Sequence, residues 1–305
     1  MTAKQPGADH QEAVDRRDRL SYRAFVTDYR HPNRPVVVTD AIDHWPALER
    51  WHPDFFADRY GDRDLGLDGC SVGELIGRIR QAEHGPVDDL PYLRNVSIDR
   101  HFPELRADIS PMPVYVRPNW FENPLVPRRV ARNRTDLFIG GRDGRFPYLH
   151  HDIYHGFAFI FQLFGEKEFF LIPPEQTPLV YPRETDNGMT NVSAITDIEH
   201  PDLDRFPLFA RATPIRCTIR PGDMLFLPAG WWHTATMPTA SISVSTNIAN
   251  GDNWGALMAD HWGLVSRRPV RAVAGMPYLG AIWAWETLRD ALGRDRALRA
   301  HTPDP

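Results

Sequence analysis

The pattern between residues 113 and 250 constrains the fold more than any other part of the sequence. There the chain consists of short runs of aromatic and β-branched residues, and turn-forming pairs such as Gly140-Gly141, Asp143-Gly144 and Pro173-Pro174 separate these runs. Short runs with frequent turns indicate antiparallel strands, because a tight turn joins only antiparallel neighbours. We therefore predict an antiparallel sandwich or barrel for this segment.

Helical patterns flank the β segment. Ser71 and Glu74 form a capping box ahead of an apolar face, which predicts a helix within residues 21–112. After residue 250, apolar residues recur every three or four positions, and Pro277 suits the first turn of a helix. These apolar residues are Tyr278, Ile282, Trp285, Leu288 and Leu292. We expect a helix-rich N-terminal part at 21–112, a β core at 113–250 and C-terminal helices at 251–305, which is an α+β class, mainly β.

The compartment can be predicted from the N-terminus, the hydropathy and the cysteines. Residues 1–20 are polar and of mixed charge, so we expect a disordered tail rather than a secretory signal. No run approaches the roughly 18 apolar residues that a membrane span needs. Cys70 and Cys217 match no disulfide or zinc spacing, so we expect both thiols to be free. Together these features predict a cytoplasmic protein with no membrane contact.

The charge balance excludes one class of partner. The chain has 35 Lys+Arg and 40 Asp+Glu, which gives a formal net charge of -5. Proteins that coat nucleic acid carry a basic excess instead. We therefore expect no nucleic-acid partner.

Three residues form a candidate metal site. His150 and Asp152 are two positions apart, and in a strand such residues point to the same face. His233 follows a tight turn at the end of the apolar run 224–227. Two histidines and one carboxylate form the facial triad typical of non-haem Fe(II) oxygenases, which leaves coordination positions open for a co-substrate and dioxygen. A His-x-Asp pair alone is common by chance, so its surroundings have to support it.

Lys167 lies downstream of this pair, in the predicted strand region 162–174, and only one other lysine, Lys4, occurs in the chain. An ammonium group beside the site can bind the distal carboxylate of a dicarboxylic co-substrate. The alternative is a lysine on a solvated strand face. The strand pattern alone does not separate the two interpretations.

Several segments, in a fixed order, resemble the JmjC-type, cupin-like Fe(II)/2-oxoglutarate-dependent oxygenases, which include the asparaginyl hydroxylase of hypoxia-inducible factor. The segments are residues 34–38 with 44–47 and Trp51, 149–152, 162–165 with Lys167, 173–174, 202–207, 221–223 and 231–233. The resemblance covers residues 34–250, and the ordered combination is far more specific than any fragment. It implies a double-stranded β-helix, the jelly-roll architecture of cupins, with helices at both ends.

The resemblance also implies roles for individual residues. It places Fe(II) on His150, Asp152 and His233, with 2-oxoglutarate chelating the metal. The further contacts that it implies for 2-oxoglutarate are Lys167, Tyr115, Ser245, Asn247 and, in place of a threonine of the relatives, Tyr148. By its alternation alone, the strand with Ser245 and Asn247 fits the solvated face of an edge strand equally well. His151 and His155 are further candidates for contacts with the metal ligands or the substrate.

The implied activity is that of a 2-oxoglutarate-dependent dioxygenase, a hydroxylase, with a peptide or protein side chain as substrate and an open groove leading to the metal. An alternative substrate is a free amino acid or a small biosynthetic intermediate, which predicts a closed pocket lidded by residues 181–212. A non-catalytic cupin ranks last, since it would lack a ligand or the lysine. The C-terminal apolar stripe predicts a homodimer, or else packing against its own domain.

Overall fold

A computed structural model describes residues 13–67, 70–85, 92–127, 135–186, 188–266 and 269–292. The strands are β1 (Asp15–Arg17), β2 (Val36–Val38), β3 (Asp64–Leu67), β4 (Cys70–Ser71), β5 (Leu93–Ser97), β6 (Thr135–Gly140), β7 (Phe157–Phe164), β8 (Lys167–Ile172), β9 (Pro182–Arg183), β10 (Val192–Ser193), β11 (Ile215–Ile219), β12 (Met224–Leu227), β13 (Trp232–Thr236) and β14 (Ser241–Ile248). The helices are α1 (Tyr22–Phe25), α2 (Ala47–Arg50), α3 (Pro53–Tyr60), α4 (Val72–Ala82), α5 (Ile98–His101), α6 (Trp254–Val265) and α7 (Pro269–Ala291). Among the described helices, none combines the length and apolar character needed to cross a bilayer.

Two sheets form the core of the fold. A seven-stranded sheet has the order β1-β2-β12-β7-β14-β6-β5, and a three-stranded sheet has the order β11-β8-β13. Pairing within both sheets is antiparallel, apart from the parallel pair β1–β2. The short hairpin β9–β10 extends the smaller sheet, because His150 bridges both His233 and Val192. The predicted α+β, mainly β class with an antiparallel sandwich is confirmed.

Strand β7 shows how the two faces of the large sheet are used. Phe157, Phe159 and Phe161 belong to the apolar cluster shared with the N-terminal helices. Ala158 and Ile160, which alternate with them, belong to the cluster between the two sheets. Because successive side chains of a strand point to opposite faces, β7 needs apolar residues at both. The space between the sheets is where the functional residues converge.

The N-terminus differs from the prediction. Residues 1–12 of the expected tail lie outside the described residues, but Asp15–Arg17 forms a strand, so the expectation of a disordered tail through residue 20 is wrong for this part. The Arg16 guanidinium binds both oxygens of Asp223, at 2.8 and 2.7 Å, and Asp223 is 4% exposed. This paired contact, together with the parallel pairing to β2, holds a segment that has no apolar pattern.

The C-terminal helix begins earlier than the sequence predicted. Helix α7 begins at Pro269 and contains Pro277 in its interior. The predicted apolar stripe is also divided, because Ile282 is 3% exposed and packs against α6, whereas Trp285 is 56% exposed. Three other members of the stripe are exposed as well, namely Tyr278, Leu288 and Leu292. Both cysteines are free thiols, as predicted.

Candidate active site

The two histidines of the predicted triad are neighbours through their backbones. His150 donates its amide to the carbonyl of His233 at 3.0 Å, and His233 returns the same hydrogen bond at 2.6 Å. This reciprocal pair places the two ring centroids 4.4 Å apart, at an interplanar angle of 48°. Backbone pairing across the smaller sheet therefore joins residues that lie far apart in the sequence.

Both imidazole rings have the same orientation relative to their own chain. Nδ1 of His150 donates to the carbonyl of Tyr148 at 3.3 Å, and Nδ1 of His233 donates to the carbonyl of Trp231 at 3.0 Å. With Nδ1 occupied as a donor, Nε2 keeps its lone pair, which is the arrangement that metal-binding histidines commonly show. Burial, with a smaller contribution from His233, holds the pKa of His150 well below its usual value, so this ring is neutral at physiological pH.

Asp152 completes the donor set from the turn that follows His150. One ligand atom from each of His150, Asp152 and His233 lies within 4.8 Å of the other two. Two imidazole nitrogens and one carboxylate are a donor set that suits Fe(II), and three protein ligands would leave coordination positions open. The residues present therefore fit the metal that the sequence predicts.

The three residues lie at one side of an inner pocket between the sheets. Other residues that line it include Asn95, Phe121, Asp136, Phe138, Phe146, Ile153, Tyr154, Ile160, Lys167, Phe169, Thr234, Ser245 and Asn247. The predicted metal ligands thus share one pocket with Lys167, Ser245 and Asn247. The sequence analysis missed Asn95, Asp136 and Thr234. Asn95 and Asp136 lie on strands that show no motif, and Thr234 follows His233 just outside the motif that ends there.

Lys167 is buried in this pocket, with 4% of its surface exposed. Its ammonium donates to the hydroxyls of Tyr92 at 2.9 Å and Ser243 at 3.2 Å, both neutral partners within the described part of the chain. The ring of Phe138 lies 4.8 Å from Nζ, close enough for a cation–π contact. Burial lowers the pKa of Lys167 from 10.5 to about 7. A buried cation in this setting favours an anionic ligand, so a lysine on a solvated strand face is excluded.

Strand β14 supplies the polar floor of the pocket. It lies between β7 and β6, and its register places Ser243, Ser245 and Asn247 opposite Gln162, Ile160 and Ala158 of β7. The apolar residues that alternate with them belong to the cluster on the other face of the sheet. Because β14 is a central strand and its polar face points between the sheets, the alternative of a solvated edge strand is wrong.

Tyr115 does not reach the pocket, and its predicted role is wrong. Its hydroxyl donates to the carbonyl of Leu20, and its ring packs edge-on against Phe25 at 5.1 Å, within the N-terminal helical cluster. Tyr92, directly before β5, holds Lys167 instead. The two tyrosines are equivalent in chemistry, and only the pairing of β5 with β6 shows which one comes near the lysine.

This correction gives a matched pair of variants. Tyr92→Phe removes one hydroxyl beside Lys167 and is expected to weaken 2-oxoglutarate binding by about 0.5–1.5 kcal/mol. Tyr115→Phe is expected to leave this affinity unchanged and to lower the unfolding temperature, since the Leu20 carbonyl loses its donor. Anaerobic calorimetry with 2-oxoglutarate and thermal unfolding of both variants test this. If Tyr115→Phe weakened 2-oxoglutarate binding and Tyr92→Phe did not, Tyr115 would belong to the site after all.

Tyr148 lies at the mouth of the pocket rather than inside it. Its ring meets the His150 ring edge-on at 5.2 Å and lines an outer cleft of about 430 Å³. Other residues of this outer cleft are Asn95, Phe146, Ile153, Arg183, Thr185, Asp186, Asn191 and Val192. The cleft joins the inner pocket at His150 and Asp152, which line both. The structure therefore does not place Tyr148 beside Lys167.

His151 points away from the metal ligands. Its Nδ1 donates to the carbonyl of Asp152 at 3.1 Å, and its ring meets Trp232 edge-on at 4.9 Å. His155 binds Asp260 of α6 at 2.9 Å through Nδ1. Both histidines line a second cavity of about 420 Å³ behind the metal-binding turn.

The facing antiparallel sheets, with two histidines and a carboxylate at the edge of the enclosed pocket, define a cupin-type β-sandwich with a candidate metal centre. A family model for the cupin-like domain matches residues 69–249, which is more than half of the chain. The chain belongs to this cupin-like family, and the jelly-roll architecture that the resemblance implied is confirmed.

Curated relatives carry names from the JmjC group. Lysine-specific demethylase 8 of Xenopus tropicalis is 27% identical over 254 residues, covering 79% of this chain and 54% of the relative. The bifunctional peptidase and (3S)-lysyl hydroxylase JMJD7 of Homo sapiens is 26% identical over 260 residues, covering 72% and 79%. The tRNA wybutosine-synthesizing protein 5 of Gallus gallus is 24% identical over 246 residues, covering 71% and 70%. The chain spans 26–59% of the length of the lysine- and arginine-specific demethylases that it matches.

Proposed function

We propose that this protein is an Fe(II)/2-oxoglutarate-dependent dioxygenase. The observation that carries the proposal is one pocket that holds both the His150, Asp152 and His233 donor set and the buried Lys167. A metal with open positions and a buried cation are the two features needed to bind a keto acid at one end and its distal carboxylate at the other. The presence of both argues against a non-catalytic cupin.

The chain's own residues supply binding and orientation. Iron and 2-oxoglutarate, when bound, supply the activation of dioxygen that oxidises an unactivated C–H bond. His150, Asp152 and His233 hold the metal, and Lys167, with Tyr92 and Ser243, fixes the distal carboxylate. Ser245 and Asn247 line the pocket between them. The apolar walls, which include Phe138, exclude water from the reacting centre.

We further propose that the substrate is a side chain of a peptide or protein. The outer cleft leaves His150 and Asp152 reachable from solvent along a groove, which suits a chain better than a small molecule. Two of the relatives described above are named for action on lysine. The hairpin β9–β10 forms one wall of the cleft. It lies within residues 181–212, the segment that would form the lid if the substrate were a small molecule.

Turnover assays separate the substrate classes. Succinate release from 2-oxoglutarate is expected to rise several-fold when peptides containing lysine, arginine or asparagine are added to the iron-loaded protein. Free amino acids are the control, and stimulation by them alone would favour the small-molecule alternative. Asp152→Ala is expected to abolish both basal and stimulated turnover, and activity retained by this variant would contradict the proposed metal site.

The C-terminal helices remain a proposed dimer interface. Trp283 and Trp285 of α7 are 46% and 56% exposed, and Leu288 and Leu292 are 54% and 61% exposed. Light scattering after size exclusion is expected to give a dimeric mass that Trp285→Arg combined with Leu288→Glu converts to a monomer. A monomeric wild-type mass at micromolar concentration would contradict this, and a dimer that survives both substitutions would place the interface elsewhere.

A further inference from the structure

The turn that follows the metal carboxylate has a conformation that its residues disfavour. In the turn Ile153–His155, Tyr154 has φ 58° and His155 has φ 48°. This is the left-handed region, where the side chain of any residue other than glycine crowds the backbone. Two such residues in succession, directly after Asp152, need support from outside the turn.

Helix α6 and its first residues supply that support. Nδ1 of His155 donates to Asp260 of α6 at 2.9 Å, and both side chains are largely covered, with 30% and 20% exposed. The side-chain amide of Asn253, just before α6, donates to the His155 carbonyl at 2.9 Å, and Asn253 is 2% exposed. The turn is therefore fixed at its backbone and at its side chain by one neighbouring element.

The segment that leads to the metal ligand His233 also lies against His155. Gly230, three positions before His233, has φ +75°, and a Cβ there would lie 3.3 Å from Cδ2 of His155. The His155 ring thus lies between Asp260 on one side and the turn that leads to His233 on the other. Movement of this ring would therefore displace both segments that carry metal ligands.

Tyr154 connects the turn to the pocket. It lines the inner pocket with 8% of its surface exposed and packs in the apolar cluster that contains Trp254 and Leu257 of α6. The direction of this side chain follows from the left-handed backbone of the turn, since the backbone dihedral angles set where a Cα–Cβ bond points. The support from α6 consequently determines the shape of the pocket wall next to Asp152.

We propose that Asp260 is a positioning residue of the metal pocket. Through its hydrogen bond to His155 it holds the strained turn Ile153–His155, and thereby sets where Asp152 and Tyr154 lie relative to the two metal-binding histidines. This inference rests on the proposed function, because it assumes that the three residues bind a divalent metal. It assigns α6 to the active-site unit although α6 contributes no ligand itself.

Cobalt(II) alone is the probe for a test, since its visible absorption reports the geometry of its ligands. Asp260→Ala is expected to lower Co(II) affinity by about tenfold, because losing a residue that orients a metal ligand typically has an effect of this size. The position or intensity of the visible Co(II) absorption band is expected to change as well. Asp260→Asn keeps an acceptor for the His155 N–H, so it is expected to restore most of the affinity and the band. An unaltered affinity and spectrum in Asp260→Ala would overturn the proposal.

Asp197 provides the matched control. Its carboxylate contacts Nδ1 of His200 at 3.5 Å, in an exposed aspartate–histidine pair that borders neither the inner pocket nor the turn Ile153–His155. Asp197→Ala is expected to leave Co(II) binding unchanged, and a loss equal to that of Asp260→Ala would show a general effect of charge or stability and overturn the proposal.

His155→Ala removes the same hydrogen bond from its other partner and tests the contact independently if Asp260→Ala fails to fold. The double variant with Asp260→Ala is expected to lose no more affinity than either single one, whereas additive losses would show that the two residues act independently. If the wild type binds no Co(II), the proposed function itself fails. If the wild type binds Co(II) and the variants bind equally well, only the role of Asp260 fails.

Discussion

Lys167→Met is expected to weaken 2-oxoglutarate binding and to stabilise the ligand-free protein at the same time. Loss of the ammonium removes charge-assisted hydrogen bonds worth about 1.5–3 kcal/mol, which is roughly tenfold to more than a hundredfold in affinity. The same change removes a buried cation whose pKa burial lowers to about 7, so the cost of desolvating it disappears. Iron affinity is expected to stay nearly intact, since Lys167 is not among the metal ligands.

The pH dependence gives this prediction a sign. In the unfolded chain Lys167 has the usual pKa of 10.5, whereas the folded protein lowers it to about 7. Between these values the unfolded state binds one more proton, so the stability of the wild type relative to Lys167→Met falls as the pH falls from about 10.5 to 7 and then levels off. Denaturant unfolding of both proteins at pH 7, 8 and 9 measures the difference. A difference that is flat across this range would mean that Lys167 keeps an ordinary pKa.

Ligand binding should show the complementary effect. A bound carboxylate favours the ammonium form of Lys167, so binding above pH 7 is expected to take up a proton. The affinity of the wild type for 2-oxoglutarate should therefore decline as the pH rises above about 7, and the calorimetric heat should depend on the ionisation enthalpy of the buffer. Proton uptake that persists in Lys167→Met would assign the effect to another group.

The second large effect is expected at the triad. His150→Ala or His233→Ala removes one of three protein ligands. Substitution of a residue that only hydrogen-bonds to a metal ligand typically lowers metal affinity 10–100-fold, so the affinity for Fe(II) or Co(II) should fall by more than this. His151→Ala is the neighbouring control, because the His151 ring lies against Trp232 and its Nδ1 binds the Asp152 carbonyl. Its affinity should stay within about tenfold of the wild type. If His151→Ala and His150→Ala lost equal metal affinity, the assignment of His150 rather than His151 as the metal ligand would be wrong.

The sequence predicted the parts of the site that lie within short motifs. His150 and Asp152 are two positions apart and reach the same site as predicted, although only His150 is paired with a strand and Asp152 lies in the turn that follows it. The alternation that places Ser245 and Asn247 on one face of β14 is local, although only the sheet order shows that this face is inside. Local periodicity identifies a face of a strand, and the neighbours of the strand decide what covers it.

The errors concern residues whose role depends on distant parts of the chain. Tyr92 meets Lys167 across 75 positions, and no periodicity in the sequence distinguishes its hydroxyl from that of Tyr115. The strand at Asp15–Arg17 is held by the side chain of Asp223, directly before β12, rather than by apolar residues of its own. Pro277 lies inside α7 rather than at its start, so the expected starting signal marked the wrong position. Tertiary contacts override local preference at each of these places.

The left-handed turn after Asp152 is another feature that local rules miss. Tyr154 is a poor candidate for positive φ, and the sequence offers no glycine there before Gly156. The conformation follows from contacts with Asp260 and Asn253, more than ninety positions downstream in the chain. Violations of local preference are often found at functional sites, and this one directly follows a metal ligand.

The visible spectrum of the metal-free protein after anaerobic addition of Fe(II) and 2-oxoglutarate tests the proposed iron site directly. Chelation of the keto acid by iron in the His150, Asp152 and His233 site is expected to produce a metal-to-ligand charge-transfer band, because the donor set leaves adjacent positions open. His150→Ala and His233→Ala should each lose this band. A wild-type protein without the band, or variants that both keep the band and the activity, would contradict the assignment of iron to His150, Asp152 and His233.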